Sequence, residues 1–403
     1  MLQNTIGRSL LHNKIKDKIT MLGIVYSFSK QTKENWIVLQ NKIENVINQQ
    51  LGNHLTLYGK IQVINTLIIP LCLHKIYALV PDLKFINSIN NMLFKFLWDR
   101  HRGELVNRNI VICDYKDGGI KMIHFLSKCV AASLYKLKII ANSINKTEFW
   151  IQWAVYNIGS LINTINSDLY TNTEPHSLIP SSYWGKIQKF LCMFKDKVED
   201  WRVVKYKHLY NICRDNYGKP ASSKSNCVDK NFWTRVQLKT DNIVNNHYFT
   251  NEERETCYLS THEAYRFGQW KKFHLPFIDV QTWLNYACPF CKKHYDNAKH
   301  ILFECDVTKK LFTDIIDNVS NTSTKRNFMN NFEAVLYNKF NSQNTEQIQC
   351  LKFFCIIKKL IINYRLKLES YGMNNICLEQ YRLHILYNAK FQYERFLSCF
   401  FVP

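Results

Sequence analysis

The chain has 403 residues, 46% of them hydrophobic and 14% aromatic, which is enough for two or three domains with real cores and too apolar for a disordered tail. Its 53 Lys and Arg against 32 Asp and Glu give a formal charge of +21, a balance that favours a polyanionic partner, with nucleic acid first. Heavy use of Asn, Lys and Ile offers a second source for that charge, biased base composition in the gene.

No apolar run follows the polar start MLQNTIGRSLLHNKIKDK, so no secretory signal is expected. Nor does any stretch reach the roughly 18–20 uninterrupted apolar residues of a membrane span. VINTLIIPLCLHKIYALV carries Asn, His, Lys and Pro inside. The expectation is an intracellular protein of the nucleus or cytoplasm with no membrane partner, whose 14 cysteines are mostly reduced.

In chain order, residues 17–28 have strand character around Gly23. A helix follows near 33–51. A second spans about 56–79, with Leu57, Ile61, Ile64, Ile68 and Leu71 on one apolar face and a kink at Pro70. Pro81 opens a third at its first turn, burying Phe85, Ile89, Met92, Leu93, Phe96 and Leu97. Gly118 and Gly119 mark a turn before the helix that begins in KMIHFLSKCVAASLYKLKII. Loops are read at 171–182 and 219–226.

From Trp184 to Asp241 there are 13 basic and six acidic residues, interleaved with Trp184, Trp201, Tyr206, Tyr210 and Trp233. That suits base stacking beside phosphate contacts, and equally an aromatic helical core. Near the C-terminus Phe353, Ile357, Leu360, Ile361, Tyr364 and Leu368 form one stripe. Lys352, Lys359 and Lys367 flank one edge, and Lys358 and Arg365 the other, so the helix is expected to turn basic rims outward.

Chemistry concentrates in CPFCKKHYDNAKHILFEC, which reads C-x2-C-x8-H-x4-C with Cys288, Cys291, His300 and Cys305. In a reducing compartment such a cluster points to metal more than to disulfides, and C-x2-C is the usual first half of a tetrahedral zinc site. Four ligands leave no open position, so the expected cofactor is structural Zn2+. His294 is a second, lower-ranked candidate. On an ideal helix His300 and Cys305 lie about 140° apart, so Cys305 must sit at a frayed end to close the cage. No nucleophile elbow, H-E-x-x-H or phosphate loop accompanies the cluster.

The ordered set ITMLGIVYS, the Trp36-led helix, LTLYGKIQVINTLIIPLCLHKIYALVP, INNMLFKFLWDR, KDGGIKM and the Cys/His cluster resembles the region after the polymerase palm of non-LTR (LINE-type) retrotransposon reverse transcriptases. The likeness runs from residue 15 to about 370. It rests on Leu22, Gly23 and Ile24; Trp36; Leu57, Gly59, Lys60 and Ile61; Pro70; Pro81; Phe96, Leu97 and Trp98; Gly118 and Gly119; and the knuckle.

The resemblance implies a mainly α fold: a remnant of the palm end (1–30), a thumb-like helical bundle (31–125), a helical basic linker (126–240), a CCHC zinc-knuckle domain (241–320) and C-terminal helices (321–403). It implies RNA, DNA or both as partners, with Lys42, Lys60, Lys95, Arg100, Arg102, Lys358, Lys359 and Arg365 as the candidate phosphate contacts. Such enzymes hold two metals on an Asp-Asp turn, and this sequence has no Asp-Asp pair. The chain is therefore expected to be no polymerase by itself, and a palm-containing polypeptide is a conceivable partner. The alternative is a retroelement-derived host protein in which the knuckle serves as a zinc-containing interaction module.

Overall fold

The computed structural model describes residues 18–27, 33–99, 104–142, 148–165, 183–219, 247–262, 264–265, 287–297, 300–319, 345–371 and 378–400. The described chain is mainly helical, with one two-stranded sheet. It divides into two compact units, one of residues 1–54, 61–96 and 123–217, the other of 55–60, 97–122 and 218–403.

In the first unit, β1 (Lys18–Met21) and β2 (Ile24–Ser27) pair antiparallel with Thr20 opposite Val25. The connection is Leu22-Gly23, with φ of 49° and 74°. Two positive φ values match the right-handed twist of the strands they join, and glycine takes the second at no steric cost. The outer edge of β2 is not left open. The Asn35 side chain accepts from Val25 N at 2.9 Å and donates to Val25 O at 2.7 Å. Asn35 lies in α1 (Lys33–Gln50), which buries Trp36, Leu39, Ile43 and Ile47 at helical spacing.

Helix α2 (Leu57–Ala78) holds a π-helical turn at Ile64–Ile68, where Ile69 N donates to Ile64 O. The turn stands directly before Pro70, which has no N–H for the carbonyl of Thr66, so the helix absorbs the proline by widening. One extra residue per turn rotates everything beyond it. Leu57, Ile61, Ile64 and Ile68 are buried as the spacing predicts, but the face then passes to Cys72 and Ile76 while Leu71 is exposed. Counted over the whole helix, α2 has the length and hydropathy of a membrane span. Its buried face and the Lys75 Nζ bond to Asn35 O at 2.9 Å are those of a core helix, which meets the same criteria.

Asp82 caps α3 (Leu83–Leu97), its carboxylate accepting from Phe85 N at 2.7 Å, so Pro81 lies just before the cap and not in the first turn. Phe85 packs on Trp36 at 4.8 Å between ring centroids. Helix α4 (Phe125–Ala141) runs through the core and is buried at every position from Cys129 to Leu134. Around it α5 (Phe149–Ile158), α6 (Tyr183–Phe194) and α7 (Tyr206–Asp215) close one apolar cluster. Trp201 is buried in it, with Trp184, Tyr206 and Tyr210 packed against it, so these aromatic residues are core. Trp233, residues 171–182 and residues 220–226 lie outside the described residues.

The second unit includes the turn around Gly119. A Cβ there would lie 2.1 Å from the Cys113 carbonyl oxygen, whereas one at Gly52 would meet nothing within 4 Å. Gly119→Ala is expected to cost about 1–3 kcal/mol through overpacking, with Gly52→Ala as the benign reference. Denaturant midpoints check it, and equal midpoints for the two variants would refute the close approach.

Among the described residues this unit also contains α8 (Asn251–Thr261), α9 (Asp306–Val319), α10 (Thr345–Tyr371) and α11 (Leu378–Phe400). A capping box starts α8. Thr250 Oγ1 accepts from Glu253 N at 3.3 Å, and Glu253 Oε2 accepts from Thr250 N at 2.8 Å. Residues 351–358 of α10 are all buried, and α8, α9 and α11 supply their neighbours, among them Phe312 beside Phe354 and Tyr393 beside Phe353.

Candidate metal centre

The site is built from a tight loop and one widened helical turn. Ala287 and Tyr295 form an isolated antiparallel bridge. Cys288 N donates to His294 O at 2.7 Å and Lys292 N to Cys288 O at 2.9 Å, with Lys292 in the left-handed region at φ 56°. This folding turns the Cys288 and Cys291 thiols to one side. Asn297 Oδ1 then accepts from His300 N at 2.7 Å and starts the next turn.

That turn, His300–Glu304, is π-helical and closes with Cys305 N donating to His300 O at 2.8 Å. An i→i+5 turn sets residue i+5 above residue i, so His300 and Cys305 share a side that an ideal α-helix would deny them. The frayed end expected from the sequence is thus a widened turn. Thr308 Oγ1 locks it by donating to Ile301 O at 2.6 Å, while Ile301 and Leu302 are buried.

The ligand atoms of Cys288, Cys291, His300 and Cys305 all lie within 4.8 Å of one another. Cys288 Sγ is 3.9 Å from Cys305 Sγ, and Cys291 Sγ is 3.3 Å from His300 Nε2. With Zn–S near 2.3 Å and Zn–N near 2.0–2.1 Å, tetrahedral zinc requires about 3.8 Å between sulfurs and about 3.6 Å between sulfur and nitrogen. The donor set can hold a metal ion, and its spacing suits zinc. His294 is exposed, its ring 5.0 Å from that of His300, and it is outside the group.

The charge state of the cage suits a cation. The Cys288 thiol donates to Cys305, which pulls Cys305 down to about 5, while that same bond and burial push Cys288 well above the ordinary thiol range. The pair gives up one proton easily and the second with difficulty. A divalent ion replaces the shared proton and removes that conflict.

The centre is seated on α10. Phe290 packs against Tyr364 with ring centroids 5.5 Å apart, and Asp296, beside the loop's closing bridge, pairs with Arg365, whose Nε is 2.9 Å from Asp296 Oδ2. Both members of that pair are almost completely buried.

A scan of protein-family models and a search of curated proteins gave no match.

The structure places the expected phosphate contacts unequally. Lys42 and Lys95 are exposed. Lys359 is partly exposed and ion-paired with Glu252. Arg100 and Arg102 lie outside the described residues. Three others are corrected. Lys60 is buried, its Nζ 2.5 Å from Asp99 Oδ1 and 3.3 Å from Leu97 O. Arg365 is buried against Asp296, and Lys358 is fully buried. Helix α10 is covered on more than one face, so the positions that flank its apolar stripe also point into protein, and the outward basic rim does not form there. A buried charge then needs a partner, as Lys352 finds in Glu253 at 2.5 Å and Tyr248 O at 2.7 Å.

Exposed basic residues stand elsewhere, beside the metal centre: Lys292 and Lys293 in its loop, and Lys309 and Lys310 in the first turns of α9. Their signal in the sequence was a pair of Lys-Lys dipeptides, one inside the cluster and one four residues after it.

Proposed function

We propose that this chain binds nucleic acid, as a zinc-containing, non-polymerising portion of a protein similar to a non-LTR retrotransposon reverse transcriptase. The single observation that carries the reading is the Cys3His group, its four ligand atoms within 4.8 Å of one another and flanked by exposed lysines, on a chain of formal charge +21. Zinc in that cage is structural, since all four positions are filled by side chains. Lys292, Lys293, Lys309 and Lys310 take the phosphates at the knuckle, and Lys42 and Lys95 are exposed cations of the first unit taken by itself. Binding of this kind is sequence-tolerant and salt-dependent, because each phosphate neutralised releases counterions.

The test is a titration of the zinc-loaded chain with a structured RNA across a salt series. Binding is expected at micromolar concentration or tighter and weakens steeply as salt rises. Replacing Lys292 and Lys293 by Ala is expected to lower the slope of log K against log salt by about 0.7–0.9 for each phosphate that is no longer neutralised. Salt-independent affinity, or none at low salt, would overturn the proposal. An unchanged slope in the double variant would move the binding surface away from the knuckle.

A further inference from the structure

Among the described residues, several buried thiols are quiet. Cys72 Sγ donates back to Ile68 O at 3.4 Å and Cys113 Sγ to Asn109 O at 3.1 Å, bonds that helices offer any buried cysteine. Burial pushes the Cys72 thiol up to about 12. Cys257 in α8 and Cys355 in α10 differ. They meet tip to tip with 2.9 Å between sulfurs, both fully buried and 98 residues apart in sequence. That is closer than two unbonded sulfurs ordinarily stand, and about 0.9 Å more than a disulfide bond.

We propose that Cys257 and Cys355 are a redox pair that forms a reversible disulfide between α8 and α10, with a hydroperoxide as oxidant. The surroundings equip one thiol to start. Lys358, one turn along α10 and wholly buried, interacts electrostatically with both sulfurs. The hydrogen bond from Cys355 and the Lys358 ammonium lower the Cys257 thiol, and burial together with donation of that bond raises Cys355. Cys257 is thus the nucleophile and Cys355 the resolving thiol.

In the first step the Cys257 thiolate attacks one peroxide oxygen. An S–O bond forms and the O–O bond breaks, and the departing hydroxide takes up the proton that Cys257 released, leaving a sulfenic acid and water. In the second, the Cys355 sulfur attacks the Cys257 sulfur. The S–S bond forms, the S–O bond breaks, and hydroxide leaves with the Cys355 proton as water. Two thiols are oxidised by two electrons and one hydrogen peroxide is reduced to two waters. A hydroperoxide is small and neutral enough to enter a packed interior where a bulky disulfide is not. The product ties the capped helix α8 to the helix that carries Arg365 and the metal loop.

The test treats the zinc-loaded full chain with hydrogen peroxide, unfolds it in excess alkylating agent without reductant, and maps the peptides by mass. The expected result is a cross-linked pair joining Cys257 and Cys355, two hydrogens lighter than the separate peptides and split by dithiothreitol, with two thiols per chain lost to alkylation. Exposed Cys192 reports the dose received, and buried Cys72 and Cys129 stay alkylatable. In Cys355→Ser, Cys257 is expected to stop at a sulfenic acid that dimedone traps. Full alkylation of both cysteines at a dose that has oxidised Cys192 would overturn the proposal. So would cross-links among Cys288, Cys291 and Cys305 appearing before this one.

Discussion

Replacing Cys288 and Cys291 together with serine is expected to abolish metal binding and unfold the segment from Ala287 to Cys305. Purified wild-type chain should carry one zinc by elemental analysis, and the double variant none. The effect is large because the segment has little else to hold it. Its apolar body is Ile301, Leu302 and Phe290, its sheet a single bridge, and two ligands sit on turns with unusual backbone. For zinc-finger peptides the binding free energy is on the order of 10 kcal/mol, and most of it is folding free energy. A chelator should produce the same loss reversibly, seen as faster amide exchange confined to this segment and its seat on α10. Full zinc occupancy in the double variant would show that other residues hold the ion.

The second large effect is expected at Asp296. Asp296→Ala removes the buried carboxylate that faces the Arg365 guanidinium, and removing one partner of such a buried pair costs roughly 3–5 kcal/mol. The pair contributes less than this to net stability, because both charges were desolvated to make it. A double replacement by residues of similar volume, Asp296→Leu with Arg365→Met, is therefore expected to recover most of the loss. Denaturant unfolding of the wild type, Asp296→Leu, Arg365→Met and the double variant gives the coupling directly. A single-variant loss below about 1 kcal/mol would mean that the guanidinium reaches water after all. Zinc content in Asp296→Ala separates the two roles of the loop: retained metal with reduced stability locates the damage at the seat and not in the cage.

Much of this architecture is legible in the order of residues. The hairpin follows from strand formers on either side of Leu22-Gly23, since few sequences besides X-Gly accept two positive φ values. Helices α1 to α3 announce themselves by apolar residues every three or four positions, while the caps at Asp82 and Thr250 are fixed by the amides that meet them in the structure. The metal cage is legible for the same reason, because C-x2-C and a spaced His and Cys constrain local backbone more than distant packing does.

Other features lie beyond any local pattern. Both π-helical turns add a residue where a 3.6-residue period expects none. One turns the face of α2 from Leu71 to Cys72, and the other brings His300 over Cys305. Lys60, Lys358 and Arg365 read as wet because lysine and arginine usually are.

The sequence by itself determined the helices and the hairpin, which depend on residues within a few positions of each other, the four candidate metal donors, which fall within one short segment, and the positive charge, which is a sum over the composition. Only the tertiary structure decided which charges face inward and which sulfurs meet. The carboxylate facing Lys60 comes from 39 residues away, that facing Arg365 from 69, and the sulfur facing Cys355 from 98. A side chain's burial and its partner are properties of the space that the other elements enclose, and periodicity along one helix carries no information about what is packed across from it.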